Sequence, residues 1–381
     1  MSKIYFFCLC TVLFGIGLVN RSHSAIMPEV PISHDTLKTI DLSGDTTRHV
    51  IVAAGSDSVY QGHPTTVLLP DGKTMYCVWT IGHGGYCGPM KRSDDGGLTW
   101  SDLLDVPANW RSVKNCPAIY RLPDPNGNHR LFVFAGEGPD GGMYQSYSED
   151  DGRTWAPMAS NGTGPCVMPF CTIVPTQGGK RLLAMSNIRR PGETNEEKSN
   201  IVVQSFSMDG GFTWSDWEVV LDTPGFKPCE PEIIRSPDGK ELLCLIRENH
   251  KRESWYIVSK DEGQTWSEPK TLPSALFGDR HKAKYSRDGR LVVVFRDTGK
   301  KSPTRTHFVA WIGTYEDIVN GRHGQGRVKL LHSHKGSDCG YPGLELLPDD
   351  TFVATTYIKY RPGKEQNSVV SVRFKLSELE Y

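Results

Sequence analysis

Six positions spread along the chain carry different side chains in a repeating context. Each stands just before a Pro, or its equivalent, that opens a short apolar run: His63, Cys116, Met168, Glu230, Arg280 and Tyr341, with Arg280 preceding His281 in the one repeat that lacks Pro. An imidazole, a carboxylate, a guanidinium and a phenol can move protons and hold charge. A position that served packing alone would be uniformly small or apolar. Its variety therefore marks a site, provided the fold brings the six together.

The elements that would do so are repeats. A turn follows seven residues after Pro64 (Asp71-Gly72), Pro117 (Asp124), Pro231 (Asp238-Gly239), Pro342 (Asp349) and His281 (Asp288-Gly289), and Pro169 opens a variant with a longer run to Gly178-Gly179. Strand-like runs follow the turns, such as Leu131 to Phe134, Glu241 to Ile246, Leu291 to Phe295 and Thr351 to Thr355, with no helical period of useful length. A second motif, Ser-x-Asp-x-Gly-x-Thr-Trp, recurs at Ser93 to Trp100, Ser148 to Trp155, Ser207 to Trp214 and Ser259 to Trp266, spaced by 55, 59 and 52 residues. Its Asp and Gly make a tight turn, its Ser and Thr bond that turn, and its Trp packs beneath. Six units of 50 to 60 residues, each too small to bury its own face, predict an all-β fold, a six-bladed β-propeller over residues 48–381. The first strand near Arg48 to Ala54, or the last near Ser368 to Leu376, would close the ring. Innermost strands then begin at equivalent places around one pore. The Ser-x-Asp turns are expected on the opposite rim.

The Ser-x-Asp-x-Gly-x-Thr-Trp motif resembles the Asp-box of the sialidase (neuraminidase) superfamily, and the resemblance spans essentially the whole chain after its N-terminal segment. It implies a Tyr nucleophile activated by a Glu. Tyr341 in Gly340-Tyr341-Pro342-Gly343-Leu344 and Glu230 in Cys229-Glu230-Pro231-Glu232 match those positions. Sialic acid carries a carboxylate on its anomeric carbon, which would repel a carboxylate nucleophile but not a phenol. A free Tyr titrates near about 10 and needs the base. A core Tyr and a strand-capping Glu are the alternative. Glu232 is read as facing away from the pair, either solvated or supporting. The resemblance also implies arginines that grip the substrate carboxylate bidentately. Arg247, 17 residues after Glu230, and Arg305, 36 residues before Tyr341, match two of them; Arg296, the repeat equivalent of Arg247, competes for the role.

In the first repeat the pattern breaks. The superfamily's Arg-Ile-Pro is replaced by Gly62-His63-Pro64, and the loop expected to hold an acid/base Asp reads Thr80-Ile81-Gly82-His83-Gly84-Gly85-Tyr86. Between His63 and Asp94 the sole carboxylate is Asp71, used in the turn. His83 is placed to protonate a leaving group, since imidazole titrates near neutrality, and His63 and Arg280 are taken as substrate-binding. A loop His without a role is equally open.

Composition narrows the field. Lys3, the apolar run Ile4 to Val19 and Ser22-His23-Ser24 before Ala25 fit a secretory signal over residues 1–24, followed by an extension over 25–47 and implying a secreted or periplasmic protein. That run is too short for a membrane span. The formal charge is -1 over the 381 residues, and loss of Lys3 and Arg21 takes it to about -3. Such a balance excludes a nucleic-acid partner. Of ten Cys, Cys8 and Cys10 fall in the signal, and the other eight are read as buried thiols with one or two bridges among them. There is no CxxC, HExxH, GxSxG or phosphate loop, so no metal or cofactor is expected. The leading expectation is a retaining exo-glycosidase releasing sialic acid or a related acidic sugar from a glycan or sialoglycoconjugate. A glycosidase of the same fold for another sugar and a non-catalytic carbohydrate-binding propeller stand beside it.

Overall fold

Strand and turn alternate along the whole of the computed structural model, which describes residues 37–138, 141–192, 199–250 and 253–380. The expected signal segment lies outside the described residues. Each turn predicted from the Pro-to-Asp spacing joins an inner strand to the next by an antiparallel ladder: Gln61–Leu68 to Met75–Ile81, Lys114–Pro123 to His129–Gly136, Pro228–Arg235 to Leu242–Glu248, Gly278–Tyr285 to Leu291–Asp297, and Cys339–Leu346 to Phe352–Ile358. Thr172–Thr176 with Arg181–Arg189 forms the variant unit.

Outer strands extend these pairs into five hydrogen-bonded sheets. The largest has seven strands, and its two halves meet through one residue pair, Tyr86 with Lys114. His49–Ala53 pairs antiparallel with Ser368–Phe374, so the start of the described chain completes the sheet that holds Tyr341 and closes the ring. Thr39–Asp41 adds a parallel edge strand to Gly326–Leu331. The architecture is an all-β propeller.

The core sits between neighbouring sheets, which explains why second strands such as Leu242–Glu248 and Leu291–Asp297 are buried at every residue instead of alternating. Leu243 and Leu245 pack against Val293 and Phe295, and Val292 and Phe308 pack against Leu344, Phe352 and Val370. All eight Cys of the described chain are buried free thiols; the expected bridges are absent there. Their placement on packed strand faces gives them the role of small apolar side chains.

The four Ser-x-Asp turns are nearly superimposable in their bonding. In the second, Ser148 Oγ donates to Asp150 Oδ1 at 2.8 Å and accepts from Gly152 N at 2.8 Å, while Thr154 N and Oγ1 donate to Asp150 at 2.9 and 2.7 Å. The same set recurs around Asp95, Asp209 and Asp261. Ser259 is registered with Leu242, at the opposite end of its strand from Arg247. These turns therefore lie at the strand ends remote from Glu230, as expected.

Candidate active site

Backbone geometry gathers the six positions. His63, Cys116, Glu230, Arg280 and Tyr341 all sit in the left-handed region, with φ of 44°, 46°, 53°, 55° and 52°. Each falls where its ladder slips register, between Gly62 and Thr65, Lys114 and Ala118, Cys229 and Glu232, Asp279 and Lys282, and Gly340 and Gly343. A bulge re-aims a side chain out of strand alternation, and holding a non-Gly residue there costs about 1–3 kcal/mol. Met168 is the exception. It precedes an unbulged strand and packs with Cys116 and Cys171.

The bulges bring Tyr341 and Glu230 into contact. Tyr341 Oη donates to Glu230 Oε1 at 2.6 Å. Glu230 is 3% exposed, its amide donates to Asn187 Oδ1 at 3.1 Å, and both its oxygens accept from Arg247 Nη1 at 2.8 and 2.9 Å. Burial pushes its carboxyl up, but the charges of Arg247 and Arg280 outweigh this and hold it below the ordinary carboxylate range. Burial and the charge of Glu230 push the Tyr341 phenol well above its usual value. The pair is thus a neutral phenol bonded to an ionised carboxylate. Tyr341 keeps part of its surface open.

Three guanidinium groups surround the pair. Arg247 Nη2 donates to Asn249 Oδ1 at 3.0 Å, and its Nε lies 2.7 Å from Asp279 Oδ1 as an ion pair without hydrogen-bond alignment. Arg296 donates to the other oxygen of Asp279 through Nε at 2.9 Å and through Nη2, and its Nη1 donates to the carbonyls of Ser337 and of Cys339. Asp279, 2% exposed, therefore bridges the two arginines. Arg280 is different. It is 6% exposed, its guanidinium carbon lies 5.6 Å from the Tyr341 ring centre, and its Nη1 has no hydrogen-bond partner among the described residues.

Arg305 is bonded to none of them. It is exposed in the loop before Phe308–Gly313, and its side chain makes no bond within the described residues. Arg296 stands next to last in its strand as Arg247 does and is carried to the pore for that reason. Of the two alternatives for Glu232, the structure bears the supporting one and not the solvated one. It is buried, and Lys282 Nζ lies 3.0 Å away. Alternation alone would set it on the same face as Glu230; the bulge between them separates the two.

On the first-repeat side, the His63 ring lies 4.4 Å from that of Tyr341 and 4.6 Å from that of His83. His63 Nδ1 accepts from Gly84 N at 3.1 Å, so the proton of the neutral ring belongs on Nε2, which has no partner among the described residues. Burial, then the neighbouring His83, lowers its pKa well below the usual value. His83 itself is open, with 64% of its side chain exposed. Sequence reasoning missed Asp279, Asp338, Tyr60 and Tyr357 in this cluster. The two acids flank ring positions in sequence, Asp279 beside Arg280 and Asp338 three residues before Tyr341, which was the available signal.

Residues 115–349 match the profile of the BNR repeat-like domain. The chain belongs to the BNR repeat-like family. Among solved structures, a protein of unknown function from Dyadobacter fermentans aligns over 86% of this chain and 97% of its own, with TM-score 0.68 and 15% identity. The intramolecular trans-sialidase from Ruminococcus gnavus aligns over 87% and 98%, with TM-score 0.58 and 16% identity. A leech intramolecular trans-sialidase covers 85% and 69%, with TM-score 0.57 and 15% identity. At such identities the likeness is one of fold. No curated protein sequence matches this BNR-repeat chain significantly. No helix among its described residues is long and apolar enough to cross a membrane.

Proposed function

We propose that this BNR-repeat protein is a retaining exo-glycosidase with Tyr341 as nucleophile and Glu230 as its base. The observation that carries the reading is the 2.6 Å bond between them, made by a phenol that burial keeps protonated and a carboxylate that arginine keeps ionised. As Tyr341 Oη bonds the anomeric carbon, its proton passes to Glu230 and the glycosidic oxygen leaves with a proton from His83. Water then attacks the anomeric carbon as the tyrosyl–sugar bond breaks, giving one proton to His83 and keeping the other as the sugar hydroxyl, while Glu230 returns to Tyr341 the proton it took.

For the sugar, we infer a terminal sialic acid or related acidic sugar. A phenol nucleophile suits a substrate with a carboxylate on the reacting carbon. Arg280 supplies a buried guanidinium beside Tyr341 whose Nη1 has no hydrogen-bond partner among the described residues, a donor that a substrate carboxylate would satisfy. A second reading, another sugar on the same machinery, is favoured by Asp279: it engages both Arg247 and Arg296, leaving them less free to grip a substrate carboxylate. We also count six blades, taking the seven-stranded sheet as two joined at Tyr86, and place the protein outside the cytoplasm on the character of residues 1–24.

A panel of aryl glycosides that includes a sialoside and neutral sugars, with the released anomer identified by NMR, tests this. Release from the sialoside with retention is the expected result. Turnover of a neutral glycoside instead selects the second reading, and an inert protein that still binds glycans defeats both.

A further inference from the structure

The first-repeat loop holds no acid/base carboxylate, yet one reaches it from the other end of the chain. Asp338, immediately before the strand that carries Tyr341, accepts from Tyr60 Oη at 2.7 Å through Oδ1. The same Tyr60 oxygen lies 3.3 Å from His83 Nδ1, and Asp338 Oδ1 lies 3.7 Å from that nitrogen. Both partners are held. Tyr60 is fixed by its carbonyl, which accepts from Gly82 N at 2.8 Å within the His83 loop. Asp338 is fixed by Lys335 Nζ at 2.9 Å and by Asn367 Nδ2 on its carbonyl at 2.7 Å.

We propose that Tyr60 and Asp338 are a positioning pair for His83: Nδ1–H of His83 donates to Tyr60 Oη, Tyr60 donates its own proton to Asp338, and Nε2 is left to give and take the catalytic proton. This rests on the glycosidase reading above. In the leaving step Nε2 loses its proton to the glycosidic oxygen as the carbon–oxygen bond breaks. In the hydrolytic step it takes one from water as the tyrosyl bond breaks, so the protons balance over the cycle. Asp338 does not itself serve as donor. Burial alone would raise its carboxyl, but the bonds from His83, Tyr60 and Lys335 bring it well below the ordinary range and keep it charged. The other titratable groups that face His83 are His63 and Tyr357, whose ring centres lie 4.6 and 6.2 Å away; Lys335 faces Asp338 from beyond. Asp338 is the anion of the set, and by accepting the Tyr60 proton it leaves the Tyr60 oxygen to act as acceptor for His83.

The test compares Asp338→Asn and Tyr60→Phe with wild type on the 4-nitrophenyl and methyl glycosides of whichever sugar the panel selects. Only the methyl glycoside needs a proton for departure. Both variants should raise the ratio of nitrophenyl to methyl turnover at least tenfold. Asp338→Glu, which keeps an acceptor for Tyr60, should restore part of the methyl-glycoside activity. Tyr60→Phe keeps the Asp338–Lys335 pair, so it stays informative should Asp338→Asn melt early. An equal fall on both substrates, or no rescue by Asp338→Glu, overturns the assignment. A wild-type chain inert on the whole panel overturns the glycosidase reading, and this assignment with it.

Discussion

The Ser-x-Asp turns and the pore bulges are both repeated around the propeller, but they repeat different things. At the turns the side chains recur and so do their bonds: Ser148, Asp150 and Thr154 do what Ser259, Asp261 and Thr265 do. At the bulges the backbone recurs, with φ between 44° and 55° in five sheet units, while the side chains are His, Cys, Glu, Arg and Tyr. A recurring side chain signals a recurring local bond. A recurring backbone with changing side chains signals a frame holding a constellation, which is how strain collects at functional sites.

The largest effects should therefore come from single pore residues and should appear in activity, not stability. Tyr341→Phe removes the nucleophilic oxygen and should lower kcat on the best aryl glycoside by on the order of 10^4- to 10^6-fold, the scale of nucleophile loss. Glu230→Gln should cost about 10^2- to 10^4-fold, as loss of a general base does. The sign of the pH dependence follows from Glu230. Its folded value is depressed by Arg247 and Arg280, so the base stays ionised until the pH falls below the ordinary value of about 4.3. The acid limb of kcat/KM should accordingly lie below that value, and an acid limb above pH 5 would remove Glu230 from the role.

Next comes a pore residue whose loss should act on the fold. Asp279→Asn leaves Arg247 and Arg296 without their shared buried anion, a change worth about 3–5 kcal/mol. Urea unfolding should show a correspondingly lower midpoint. A loss under 1 kcal/mol would mean that the two arginines are free to turn toward substrate.

Much of this was legible in the sequence, and the reasons differ by region. Spacing located the turns and the strand starts because Asp-Gly and Pro restrict backbone locally. It located Glu230, Arg247 and Tyr341 because all three lie at strand ends that the repeat superimposes. Spacing leaves the place of Arg305 open, since loop length, not register, decides where a side chain between strands goes. Glu232 reads as either solvated or supporting because the bulge that separates it from Glu230 leaves no mark in composition. Asp338 and Tyr60, 278 residues apart, meet only through ring closure, so no local pattern could join them.

At the turns, effects should be smaller and confined to stability. Asp150→Ala removes the acceptor for Thr154 and Ser148 and should cost about 1–2 kcal/mol, by analogy with a lost cap, with kcat unchanged. Its pKa is lowered to about 2, chiefly by the bond from Thr154 N. The stabilisation is present above the unfolded value near about 3.9 and fades as pH falls toward 2. Acid unfolding of wild type and variant should converge there. An activity loss in Asp150→Ala at full folding would make the turn part of the site.

The smallest effect separates the two kinds of repetition most finely. The residue after the turn's Asp is left-handed in all four copies: Gly96 at 70°, Asp151 at 55°, Gly210 at 80° and Glu262 at 61°. Two copies use Gly, so the other two carry the steric cost that Gly avoids, about 1–2 kcal/mol, offset by about 0.5–1 kcal/mol of extra chain entropy. Asp151 contributes its backbone carbonyl to Tyr76 Oη at 2.8 Å, a bond that Gly preserves. Asp151→Gly should therefore raise stability by roughly 0.5 kcal/mol, the difference of those two terms. Glu262→Gly should gain nothing, because the carboxylate of Glu262 accepts from Arg235 at 2.7 and 2.9 Å and from Gln177 N at 3.2 Å. Paired thermal melts of the two variants decide it. If both gain alike, the Arg235 contact is idle; if both lose, the turn tolerates left-handed side chains because something other than its own geometry pins it, and side-chain repetition at these turns would then need another cause.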